Sequence, residues 1–141
     1  MIQRIQSLWL LIVAIAAFAT YTLKLYIGTN AAGTDIIFPL AENLILVIVI
    51  IALGILAMVS IFLYKNRKLQ FKLAIFGIIF SVGFLFLEYY AVESFKTERQ
   101  IQSGSYQLGA LLPILMVFLF FFAARGIYRD ERLIKSMDRL R

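Results

Sequence analysis

The sequence predicts an all-α polytopic membrane protein with four transmembrane helices and both termini on the same side. Hydrophobic residues make up 62% of its 141 residues and charged residues only 16%, whereas roughly 45–50% of residues are apolar in an ordinary soluble domain. The charges occur in short clusters between long uncharged stretches, so a soluble fold would lack the charged surface that it needs. Lipid is therefore the predicted surrounding of most of the chain.

Four stretches are apolar enough to cross a bilayer, which takes roughly 20 helical residues. We expect the spans near Ile5–Leu23, Leu44–Tyr64, Phe71–Tyr90 and Leu108–Tyr128. The second contains no charge, while the first and fourth reach full length only with their polar or aromatic flanks. The first stretch has an alternative interpretation as a cleaved signal peptide, because Arg4 precedes an apolar run that ends in an Ala-x-Ala pattern at 17–19.

The domain prediction is a four-helix transmembrane domain over residues 1–128 and a basic amphipathic tail over residues 129–141. At helical spacing, an apolar stripe in the tail is formed by Leu133, Ile134, Met137 and Leu140. This pattern is typical of a short cytoplasmic helix that lies on an anionic membrane surface or against a partner protein. The alternative is a plain basic anchor that continues the fourth helix.

Basic residues predict the orientation, because short cytoplasmic loops carry the excess of Lys and Arg. Only Lys24, Lys96 and Arg99 fall on one side of the predicted spans. The other side has Arg4, Lys65, Arg67, Lys68, Lys72, Arg125, Arg129, Arg132, Lys135, Arg139 and Arg141. We therefore expect a multi-pass protein of the bacterial inner membrane with both termini in the cytoplasm.

Several function classes are disfavoured by the composition. The chain has neither Cys nor His, which excludes thiol chemistry and the common zinc and haem ligands from this chain. No Ser-His-Asp arrangement or Gly-rich phosphate loop occurs. We predict no enzymatic activity, no cofactor and no metal, and no nucleic-acid partner, because the basic residues lack an aromatic stacking platform.

Glu88 interrupts the third apolar stretch and is the candidate intramembrane site, since ionisable groups within a membrane are costly and often functional. Lys24 is as far from Arg4 along the first span as Glu88 is from Lys68 along the third, so both should lie at a similar depth. The functional interpretation is a carboxylate that handles protons or cations. The simpler one is an interfacial ion pair with Lys24, or a carboxylate that reaches the interface beside two tyrosines.

The opening MIQRIQSLWLLIVAIAAF, the turn KNRKLQFKLAIF and the closing RDERLIKSMDRLR together resemble a family of small four-helix membrane proteins of unknown function found in Bacteroidetes. The resemblance implies an inner-membrane setting. It supplies no catalytic residue to carry over.

Two functions are predicted. The first is a non-catalytic accessory subunit of a larger inner-membrane complex, such as a translocation or secretion system or another envelope machine. It would dock through its helices and a basic cytoplasmic face that contacts a partner or anionic lipids. The residues of this basic face are Lys65, Arg67, Lys68, Arg129, Arg132, Lys135, Arg139 and Arg141. The alternative is a small transporter, a homo-oligomer of two copies, coupled to protons or cations through Glu88.

Overall fold

The computed structural model of the protein describes residues 3–138, and within them the side chains of residues 5–134 and of Ser136. Within these residues, four helices are long and apolar enough to cross a membrane, as predicted. They are α1 (Gln3–Thr22), α2 (Leu44–Phe62), α3 (Arg67–Glu98) and α4 (Leu108–Asp138). Helices α3 and α4 run well past the predicted ends of their spans, to 32 and 31 residues.

The helices form a four-cornered bundle. Helix α1 packs against α2 and α4, and α3 packs against the same two helices, so α1 and α3 lie at opposite corners. The core is apolar and includes Leu10 and Val13 of α1, Ile50 and Leu53 of α2, Phe84 and Val92 of α3, and Met116 and Phe120 of α4. Large apolar side chains also cover much of the outside, which is consistent with a bundle that spans a membrane.

Helices α3 and α4 approach each other closely at Gly77. Gly77 is buried directly against the ring of Phe120, so that no room is left for a Cβ atom. The small residue therefore sets the distance between these two helices.

A tight turn connects α2 to α3 and makes them an antiparallel hairpin. Asn66 caps α3, because its side-chain oxygen accepts a hydrogen bond of 3.3 Å from the backbone N–H of Leu69. Asn43 caps α2 in the same way through the N–H of Leu46. Each of these two helices therefore follows an asparagine that satisfies one of its free N–H groups.

A three-stranded antiparallel sheet lies at the end of the bundle opposite the α2–α3 turn. This sheet was not predicted from the sequence. Its strands β1 (Tyr26–Asn30), β2 (Asp35–Ile37) and β3 (Ile101–Tyr106) have the order β2-β1-β3. The turn between β1 and β2 is held by the Asn30 side chain, which accepts hydrogen bonds from the backbone N–H groups of residues 32 and 34, and by Gly33 at φ +76°. We call this end of the bundle the sheet end.

The tail is a continuation of α4 rather than a separate helix. Helix α4 is continuous from Leu108 to Asp138, and no proline or glycine follows Gly126 to break it. Residues 129–138 of the tail thus continue the fourth helix, and contact of the tail with a membrane surface or a partner protein stays a prediction. Residues 139–141, including Leu140 of the predicted stripe, lie outside the described residues. The start of α1, the α2–α3 turn and the last turns of α4 meet at what we call the basic end.

Candidate functional site

Glu88 lies on the inward face of α3 and is only 3% exposed. Phe84 and Val92, one turn away on either side, are fully buried. Neither carboxylate oxygen of Glu88 has a hydrogen-bond partner among the described residues, and the same holds for the hydroxyl of Ser81 on the same face. Buried polar groups are normally hydrogen-bonded, so this face of α3 contains two polar side chains whose hydrogen-bonding capacity is unused.

Lys24 and Glu88 are not brought together by the structure. Lys24 follows α1, its side chain is exposed, and its backbone carbonyl packs against Gly109 at the start of α4. Glu88 instead points into the bundle and makes no ion pair among residues 3–138. The predicted pairing is wrong, because similar depth along two helices brings side chains together only where they face each other.

Lys96 is the cation that pairs at the sheet end. Its Nζ lies 2.6 Å from Glu93 Oε1 and sits over the rings of Tyr26 and Tyr106, 5.3 and 5.7 Å from their centroids. Burial raises the pKa of Tyr106 above its ordinary value, Lys96 opposes that rise, and Glu93, Tyr89 and Glu88 add to it. Lys96 thus fastens the end of α3 to the sheet.

A buried polar network joins the helices at the basic end. Asp130 of α4 is 5% exposed and accepts a hydrogen bond of 2.5 Å from the amide of Gln6 in α1. The guanidinium of Arg67 in α3 lies 3.9 Å from the same carboxylate oxygen. Beside this group, the Gln70 amide donates a 2.9 Å hydrogen bond to the backbone carbonyl of Ser60, which ties α3 to α2.

This network was not predicted, although the sequence contains a signal for it. The inward stripe of α4 runs through Phe120, Ala123 and Ile127, and the next position at the same spacing is Asp130. Gln6 fits against α4 because Gly126 leaves room for its side chain.

The basic end also carries an exposed positive surface. Lys65, Lys68, Arg129 and Arg132 are exposed, while Arg67 is half-buried beside Asp130. Lys135 lies in α4 with its side chain outside the described set, and Arg139 and Arg141 lie outside the described residues. The structure therefore gathers segments far apart in the chain, the α2–α3 turn and the end of α4, into one positively charged surface.

Comparison with known protein families identifies a match. The profile described as "Domain of unknown function (DUF4293)" matches residues 2–140. Neither the curated proteins nor the solved structures contain a match to the chain. Because the match covers nearly the whole chain, including the basic turn and most of the tail, the protein belongs to the DUF4293 family.

Proposed function

We propose that the protein is a non-catalytic accessory subunit of a larger inner-membrane complex in a Bacteroidetes-type envelope, such as a translocation or secretion machine. In this proposal both termini are cytoplasmic, and the basic end faces the cytoplasm. Support comes from the distribution of Lys and Arg, since the α2–α3 turn and the end of α4 meet at one end of the bundle.

The proposal rests on one observation, which is that the last turns of α4 expose apolar side chains among basic ones. A helix of 31 residues is about 46 Å long, which exceeds the roughly 30 Å of hydrocarbon that it would cross. Beyond the buried network, Leu133 is 47% and Ile134 is 38% exposed, beside the exposed Arg129 and Arg132. Exposed apolar side chains among basic ones favour contact with a partner protein, and the basic residues also suit anionic lipid headgroups.

Pull-down of the tagged protein in a gentle detergent, followed by mass spectrometry, tests the proposal. We expect a larger membrane complex in stoichiometric amount with the parent protein. Leu133→Ser should release that complex, whereas Ile37→Ser should retain it, because Ile37 is equally exposed, at 46%, but lies at the sheet end.

A second pair of variants tests whether the basic residues at the end of α4 contribute to the association. Arg132→Glu should weaken the association, and Arg99→Glu, which reverses an exposed charge beyond α3, should not. A complex that survives both Leu133→Ser and Arg132→Glu would contradict docking through the end of α4. Recovery of the protein alone, as a monomer or dimer, would refute the accessory role.

The second candidate function is a dimeric transporter coupled to protons or cations. The burial of Glu88 without a hydrogen-bond partner among the described residues is the observation that favours it. An ionisable group that is buried within a span without a partner is often functional. Proton flux into liposomes that contain the purified protein tests this candidate. Glu88→Gln should abolish the flux and Glu88→Asp should retain part of it, while equal flux in the parent and Glu88→Gln would eliminate the transporter.

A further inference from the structure

A groove at the sheet end combines an apolar wall with free carboxylates, and neither function above uses it. It lies between the start of α2, the 3-10 turn Leu40–Glu42 and the outer half of α3. Its volume is about 470 Å³, within the range of small-molecule sites. We propose that this groove binds a phospholipid with a primary ammonium headgroup, of the phosphatidylethanolamine type.

The lining of the groove changes from polar to apolar along α3. Glu42 and Glu98 are exposed at the end that lies beside the sheet, with Tyr90 between this end and the apolar part. Leu46 and Leu87 line the other end, and Leu87 is about 16 Å below Glu98 at the helical rise of 1.5 Å per residue. An occupant that matches this gradient has a cationic head and an apolar chain.

The two carboxylates are available to such a head. Neither Glu42 nor Glu98 forms an ion pair with any residue of the described part of the chain. The nearby cation Lys96 is already paired with Glu93. A primary ammonium has three N–H donors, so it can hydrogen-bond to both glutamates, which a quaternary ammonium cannot do. The exposed face of Tyr90 adds a cation–π surface.

The surroundings favour a lipid as the occupant. The rim of the groove includes Leu44 and Ile45, which are 71% and 60% exposed on the outside of the bundle. A lipid chain can therefore enter sideways from the bilayer, without passing through water. The inference rests on this groove alone and is independent of the proposed function.

Native mass spectrometry of the full chain, released from nanodiscs of equal phosphatidylethanolamine, phosphatidylcholine and phosphatidylglycerol, tests the proposal. We expect the parent to retain phosphatidylethanolamine in preference to the other two lipids. The double variant Glu42→Gln/Glu98→Gln should lower that retention about tenfold, because it removes two charge-assisted hydrogen bonds. Both glutamates are exposed, so the bundle should remain folded.

Two further variants complete the test. Asp35→Asn removes an exposed carboxylate at the same end but outside the groove, and should retain the lipid. Ala91→Phe fills the groove without changing charge and should lower retention of phosphatidylethanolamine. Equal retention of the three lipids by the parent, or retention in the double glutamine variant equal to that in Asp35→Asn, would overturn the proposal.

Discussion

Asp130 and Glu88 are both buried carboxylates, but their surroundings differ. Asp130 Oδ2 accepts a hydrogen bond from Gln6 and lies near Arg67, while its Oδ1 has no hydrogen-bond partner among the described residues. Neither oxygen of Glu88 has a partner among these residues. A buried polar group with partners holds elements together, and one without partners lowers stability. The two residues should therefore respond to substitution in opposite directions.

Asp130→Ala should destabilise the bundle, because it leaves the buried amide of Gln6 without its acceptor and removes the charge that faces Arg67. We expect a loss of about 1–3 kcal/mol in the free energy of unfolding. Unfolding by sodium dodecyl sulfate from mild detergent micelles, followed by circular dichroism, measures it. Arg129→Ala, an exposed neighbour, is the control, and equal unfolding midpoints for the two variants would contradict the structural role of Asp130.

Glu88→Met should stabilise the bundle, since methionine has a similar length and no group to desolvate. The same unfolding measurement should show a gain of about 1–3 kcal/mol. Glu98→Met, on the exposed end of α3, should change little. A clear loss of stability in Glu88→Met would mean that the Glu88 carboxylate makes a favourable interaction in the membrane. A gain in stability with loss of biological activity would identify Glu88 as a residue retained for function.

The contact between α3 and α4 depends on the missing side chain of Gly77. Gly77→Ala should destabilise the protein by about 1–3 kcal/mol, because the new methyl group overlaps the buried ring of Phe120. Gly83→Ala on the same helix is the matched control, since a Cβ atom there meets nothing within 4 Å. Unfolding midpoints of the two variants measure the difference.

A double variant shows whether the loss comes from this contact. Phe120→Leu makes room for the methyl group, so Gly77→Ala should cost less in that background than in the parent. Additive losses would contradict direct packing of Gly77 against Phe120.

Prediction from sequence succeeds for the four long helices and fails for the sheet, for a physical reason. An uncharged run as long as Leu44–Phe62 has one stable arrangement in lipid, so its length and hydropathy suffice. Strand β3 is mostly exposed and has no alternating pattern. Its pairing of Tyr106 with Tyr26 depends on two segments that the folded bundle brings together, so neither segment alone contains the signal.

The candidate site could also be predicted only in part. Glu88 stands out because it is a charged residue within an apolar run, and that much is visible in the sequence. Its lack of a partner is not, because it depends on how α3 is rotated about its axis. Gln6 and Asp130 lie near the ends of apolar runs, where polar side chains normally face water. Only the packing of α1 on α4 makes them buried.

The topology of the whole molecule can be tested with two serines, because the chain has no cysteine of its own. Ser103 lies at the sheet end and Ser136 at the basic end, and both are exposed. With the basic end in the cytoplasm, a membrane-impermeant maleimide should label Ser103→Cys in intact cells and Ser136→Cys only after the membrane is opened. The reverse pattern would invert the proposed orientation.

The hydrogen bond between Gln6 and Asp130 also has a consequence for biosynthesis. The two residues are 124 positions apart, and a ribosome delivers the chain from its N-terminus. In a bilayer, the side-chain amide of Gln6 has no acceptor on α4 until the ribosome has added residue 130. We expect a chain that stops before residue 130 to retain an unpaired Gln6 amide, a polar group by which a membrane chaperone or protease can distinguish it from a chain that has reached Asp130.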